Sequence, residues 1–134
     1  MNKLAGIIVG IESSAEMSLV EVNVSGDIFT SIVLETPQTA PYLKVGNNIT
    51  LLFKETEVSL AKDLAGRISL RNHFSSLIKK IELYQLLATI TLDYQGQEIV
   101  SIITAKSANK LGLKENESVD WLVKTNEVSL WHTI

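Results

Sequence analysis

The chain has no cysteine, which excludes disulfides and thiolate metal sites. Proline occurs only twice, at Pro37 and Pro41, and aromatic residues make up 6%, few for a surface that stacks nucleic-acid bases. There is no excess of basic charge. Twelve Lys and Arg face fifteen Asp and Glu, for a net charge of −3 and a pI near 5.4. That balance argues against a general nucleic-acid or anionic-membrane surface and leaves room for a small local anion site. No apolar run is long enough to span a bilayer. Met1-Asn2-Lys3 opens without a secretory pattern, so a cytoplasmic protein is expected, with no membrane and no nucleic acid as partner. Catalytic signatures are missing too. His73 and His132 stand far apart, and there is no His-x-x-x-His pair, nucleophile elbow or phosphate-loop glycine run. The carboxylates are scattered. The expectation is a protein that is not an enzyme and holds no bare metal cation.

What the chain does have is a core and a repeat. Hydrophobic residues make up 46% of it and the mean hydropathy is +0.20, which suits a packed interior. An offset of 70 residues superposes Gly26 on Gly96, Asn2 on Asn72, Ile11-Glu12 on Ile81-Glu82 and Lys54 on Lys124. It ends on an identical run, Glu57-Val58-Ser59-Leu60 against Glu127-Val128-Ser129-Leu130. Two units follow, 1–64 and 65–134. Each is marginal in size alone, so they should pack on one another or on a second chain.

In the first copy Val20, Val22 and Val24 alternate with Glu21, Asn23 and Ser25, the period of a half-buried strand. Ser25-Gly26-Asp27 marks a hairpin turn and Ile28 to Leu34 the returning strand. The second copy repeats this through Ala88 to Leu92, a turn at Tyr94-Gln95-Gly96-Gln97, and Ile99 to Thr104. Ser107 to Leu113 reads as a helical turn that Ser107 can cap and Gly112 can stop. Its counterpart, Pro37 to Leu43, allows only a turn or a short helix begun at Pro37. Strands close each copy over Ile49 to Thr56 and Val119 to Thr125. The expected class is all-β, with two tandem five-stranded barrels, each with a short helix. The OB-fold is the natural candidate, and the pattern by itself does not separate it from an SH3-like barrel.

The polar residues suggest an oxyanion ligand. A fully ionised tetrahedral oxyanion only accepts hydrogen bonds, so it needs hydroxyls, amide N–H groups and fixed cations. The second copy groups such donors: Ser69, Arg71 and Asn72 at its start, Thr104 and Ser107 at the strand-to-helix junction, and Lys124 and Thr125 near its end. The first copy has Met1, Leu34, Pro37 and Glu55 where the second has Arg71, Thr104, Ser107 and Thr125. Asn2 stands opposite Asn72, and Lys54 survives opposite Lys124 as a possible accessory group.

At these residues the second copy resembles the Mop (molbindin, or TOBE-type) domain. Ser69-Leu70-Arg71-Asn72 is similar to its Ser-Ala-Arg-Asn opening, with Leu70 for the usual Ala. Ile103-Thr104-Ala105-Lys106-Ser107-Ala108 and Leu111-Gly112-Leu113 are similar to its central segment, and Val123-Lys124-Thr125 with Val128-Ser129-Leu130 to its close. Ser76 stands at a usual glycine. The first copy, Asn2 to Leu60, is a degenerate version. The resemblance implies OB-fold barrels that oligomerise, as a dimer or trimer, and bind molybdate or tungstate at domain or chain interfaces for storage, buffering or homeostasis. It implies that Ser69 and Arg71 contact the anion from one side and Thr104, Ser107 and Lys124 from another, while Thr125 offers its backbone N–H and Asn72 braces the loop. Two alternatives stand beside it: the oxyanion-sensing effector half of a molybdate-responsive transcription regulator, and an OB-type module for oligonucleotide or sugar.

Overall fold

The computed structural model describes residues 1–132, so the expected end of the second unit at 134 lies outside the described residues. The first copy forms β1 (Asn2–Ser14), β2 (Met17–Val24), β3 (Asp27–Val33), β4 (Asn48–Phe53) and β5 (Ser59–Ala61). The second forms β6 (Asn72–Leu83), β7 (Leu87–Tyr94), β8 (Gln97–Thr104), α1 (Ala105–Leu111), β9 (Ser118–Val123) and β10 (Ser129–Trp131). A single 3-10 turn precedes each last strand, at Glu55–Glu57 and Thr125–Glu127. The fold is all-β, two curled five-stranded sheets of OB type.

Local chemistry explains the matching halves. The β2–β3 and β7–β8 hairpins turn on Ser25-Gly26 and Gln95-Gly96, all four at positive φ, the two-residue geometry that matches strand twist. Each long first strand carries a bulge at one register, between Ile8 and Gly10 in β1 and between Ile78 and Lys80 in β6, which lets the sheet curl.

The halves differ at the helix. α1 forms only in the second copy; in the first, residues 37–42 make turns, because Pro37 and Pro41 remove two backbone donors within five residues. α1 also starts earlier than its sequence suggests. Thr104, not Ser107, is the N-cap: its Oγ1 accepts from the Ser107 N–H at 3.1 Å. Gly112 ends the helix at φ 62°, in the left-handed region that glycine tolerates.

The sheets do not follow the repeat. Their strand orders are β10-β4-β1-β2-β3 and β5-β9-β6-β7-β8, so each half lends its last strand to the other. Two reciprocal clamps reinforce the exchange. The Asn72 side chain accepts from the Thr30 N–H at 2.7 Å and donates to the Thr30 carbonyl at 2.8 Å. Asn2 does the same with Val100, at 2.9 Å each way. Ser31 donates to the Val128 carbonyl and Ser101 to that of Val58.

One core runs through both halves. Trp121 sits at its centre, with ring centroids of Phe74 at 5.1 Å, Tyr94 at 5.4 Å, Phe29 at 6.0 Å and Phe53 at 6.1 Å. Two of those rings come from the first copy. The repeat images of the five aromatics are Leu51, Leu4, Val24, Ile99 and Val123, all buried. Ser76 has a reason to replace glycine: its hydroxyl accepts from the buried Trp121 indole N–H at 2.9 Å. Opposite it in the repeat is Gly6, where a Cβ would lie 2.6 Å from Val22 and 2.7 Å from the Asn23 carbonyl. Among the described residues no helix is long and apolar enough to cross a membrane.

Candidate functional site

Ser69 lies in the connection leading into β6, and Lys124 directly follows β9 and caps the second 3-10 turn. Together with Leu70, Leu122 and Ser59 they line a pocket of about 280 Å³. Glu57 and Glu127 line it too, and sequence reasoning missed both. They belong to the Glu-Val-Ser-Leu runs of the repeat, and only the exchange of β5 and β10 brings them to one place. Two carboxylates beside one ammonium make this pocket poor for a dianion until further cations arrive.

Thr104 and Ser107 form a second group. Thr104 Oγ1 donates to Ser107 Oγ at 2.9 Å while accepting from the Ser107 N–H, so the Ser107 hydroxyl keeps its own proton to donate. Ser107 opens onto a pocket of about 380 Å³ with Thr56, Ser59 and Lys110. Ser59 lines both pockets, so the two donor groups adjoin across β5.

The other expected residues sit elsewhere. The Arg71 guanidinium is 3.5 Å from the Glu21 carboxylate of β2. The pair is long and well exposed, worth at most ~1 kcal/mol, so little holds Arg71 there. Asn72 is fully buried with its carboxamide committed to Thr30, which removes it from the ligand donors and makes it a brace. Thr125 opens the second 3-10 turn. His73 is a partly exposed strand residue 3.5 Å from Asp120. Lys54 lines a smaller groove of about 210 Å³ with Met1, Asn126, Glu127 and Ser129, the repeat image of the Lys124 pocket.

The first copy offers little to an anion at the corresponding points. Leu34 is 78% exposed and Pro37 lies in a turn. Glu55 bonds the Met1 ammonium, a contact that holds its carboxyl below the usual carboxylate range.

Tandem five-stranded barrels of OB type, with polar pockets near the exchanged strands, define the class of the molecule. Residues 68–130 match the family model of the TOBE domain. No curated protein matches the chain. The chain is similar to the cytoplasmic molybdate-binding protein ModG, solved with molybdate bound, at 29% identity over 96% of this chain and 94% of that one, with a TM-score of 0.90. It is also similar to a molybdate-binding protein from Sporomusa ovata, at 34% identity over 50% of this chain and all of that one, with a TM-score of 0.49. The second copy is thus a TOBE domain, and the chain is a tandem Mop/TOBE-type protein.

Proposed function

We propose that this protein binds molybdate, or the closely similar tungstate, without catalysing a reaction, and serves in the cytoplasm as an oxyanion store or buffer. The observation that carries this is the likeness of nearly the whole chain to a cytoplasmic protein solved with molybdate bound. The donor inventory supports it. We assign the anion to Ser69, Arg71, Thr104, Ser107, Lys124 and the backbone N–H of Thr125, with Asn72 holding the loop in place. These groups belong to unit 65–134, while unit 1–64 supplies framework and the accessory Lys54. In one chain the donors form separate groups, so we place the complete site between chains of a homo-oligomer, a dimer or trimer. There Arg71 or Lys124 of one chain adds the charge that Glu57 and Glu127 otherwise offset. The transcription-regulator and oligonucleotide alternatives are not favoured by the whole-chain likeness.

The test is calorimetric titration with molybdate, tungstate and sulfate. Sulfate is smaller and leaves some fixed donors unpaired, at about 1–3 kcal/mol each, so it should bind roughly tenfold or more weakly. Equal competition by sulfate and molybdate would contradict a site built for the larger tetrahedron.

A further inference from the structure

The outer faces of the two sheets differ in chemistry where their backbones agree. On the second sheet Lys79 and Glu98 form an ion pair at 2.8 Å, and Asp93 and Asp120 stand on neighbouring strands. The repeat images of these four on the first sheet are Val9, Ile28, Asn23 and Thr50. Val9 is 46% exposed and Ile28 41%. Trp131, 53% exposed, occupies the place that Ala61 has on the second sheet. Strand register sets Trp131 beside Thr50 and Thr50 beside Ala5, and the next row holds Asn48, Ile7 and Asn23. The result is an uncharged strip with a groove of about 390 Å³. A contact that used both halves in equivalent places would need an apolar surface on both. The charged face of the second sheet therefore separates this strip from any such contact.

The margins of the strip indicate its occupant. Lys3 lies on β1 at one end, and Glu21 pairs in register with Gly10 at the other. A two-fold contact would run the β1 strands of two copies antiparallel. Lys3 of each copy would then meet Glu21 of the other, and Trp131 would face the opposing groove. An exposed tryptophan at the edge of an apolar patch with a polar rim is a common interface anchor, and a self-complementary patch is what a two-fold contact requires. The 3.5 Å contact of Glu21 with Arg71 is too long and exposed to compete strongly. We propose that the outer face of the first sheet is a two-fold interface between two copies of this chain, distinct from the contacts that complete the anion site.

The double variant Val9→Lys/Ile28→Glu tests this. It transplants the ion pair that the second sheet already accommodates, so the fold should survive, as circular dichroism can verify. Sedimentation velocity across a dilution series should show the parent mass falling by half in one step. In the double variant that step should move to concentrations about tenfold higher or more. Lys3→Glu, which sets like charges opposite, should move it the same way, and the Trp131 emission should shift to the red as the parent dissociates. Molybdate titration of the double variant should match the parent, which separates this contact from the anion site. Identical mass and dilution behaviour in the parent and both variants would overturn the proposal and leave the face to another partner.

Discussion

At the scale of the residue, the clamps and the buried tyrosine carry the most weight. β3 and β8 are edge strands, and the outward peptide groups of Thr30, buried, and of Val100, partly buried, would lack these partners if Asn72 and Asn2 did not bond them. Asn72→Ala therefore strands a buried N–H and a buried C=O, and should cost about 2 kcal/mol or more. Denaturant melts should show an earlier midpoint, and an unchanged midpoint would refute the bracing role. Tyr94 donates to Asp27 at 2.7 Å. Burial, and then that bond, raise its pKa in the fold. Its contribution is complete below about pH 10, the unfolded value. Above that, the unfolded chain gives up the proton first and stability falls as pH rises towards the folded value. Tyr42 is shifted in the same direction by burial and Glu35. Tyr94→Phe should flatten the alkaline decline in melting temperature without removing it, and an identical decline in parent and variant would contradict this reading. Asn72 also marks a limit of sequence reading. Its place in the motif was visible, but a carboxamide serves an anion or a peptide group equally well, and only the fold shows Thr30 against it.

At the scale of the element, much was legible and the pairing of the last strands was not. Alternating valines gave β2, glycine turns gave the hairpins, and prolines explain the missing helix in the first copy. Thr104 and Ser107 are both good caps three residues apart, so the start of α1 was open until its hydrogen bonds were seen. β5 and β10 both begin Ser-Leu after the same Glu-Val. Nothing local tells either strand which sheet to join, and the exchange follows from the core that the two halves share. A truncated chain of residues 65–134 alone lacks β5 to cover β9. It should meet the need with β10 of a second copy, giving a swapped dimer that is less stable than the parent because Phe29 and Phe53 are absent. Native mass spectrometry checks this, and a folded monomer would show that β9 needs no borrowed strand.

At the scale of the whole molecule, duplication has allowed the halves to diverge in three places. The core is aromatic around Trp121 and aliphatic at the image positions. One outer face carries an ion pair and two aspartates, and the other an uncharged strip between Lys3 and Glu21. The groups we assign to the oxyanion lie in the second copy, while Leu34, Pro37 and Glu55 stand at the matching positions of the first. The donor inventory was legible because it consists of residue types at matched positions. Their separation into two adjoining groups, with Glu57 and Glu127 lining the Lys124 pocket, was not, because it depends on which strands cross. The central claim is that the second copy holds the principal site. Molybdate titration of Lys124→Ala beside Lys54→Ala, on protein of native mass, tests it most directly. Losing a charged hydrogen bond costs ~1.5–3 kcal/mol, so Lys124→Ala should weaken binding roughly ten- to hundredfold while Lys54→Ala stays close to the parent. Parent-like affinity in Lys124→Ala with a loss in Lys54→Ala would place the site in the first copy and contradict the account.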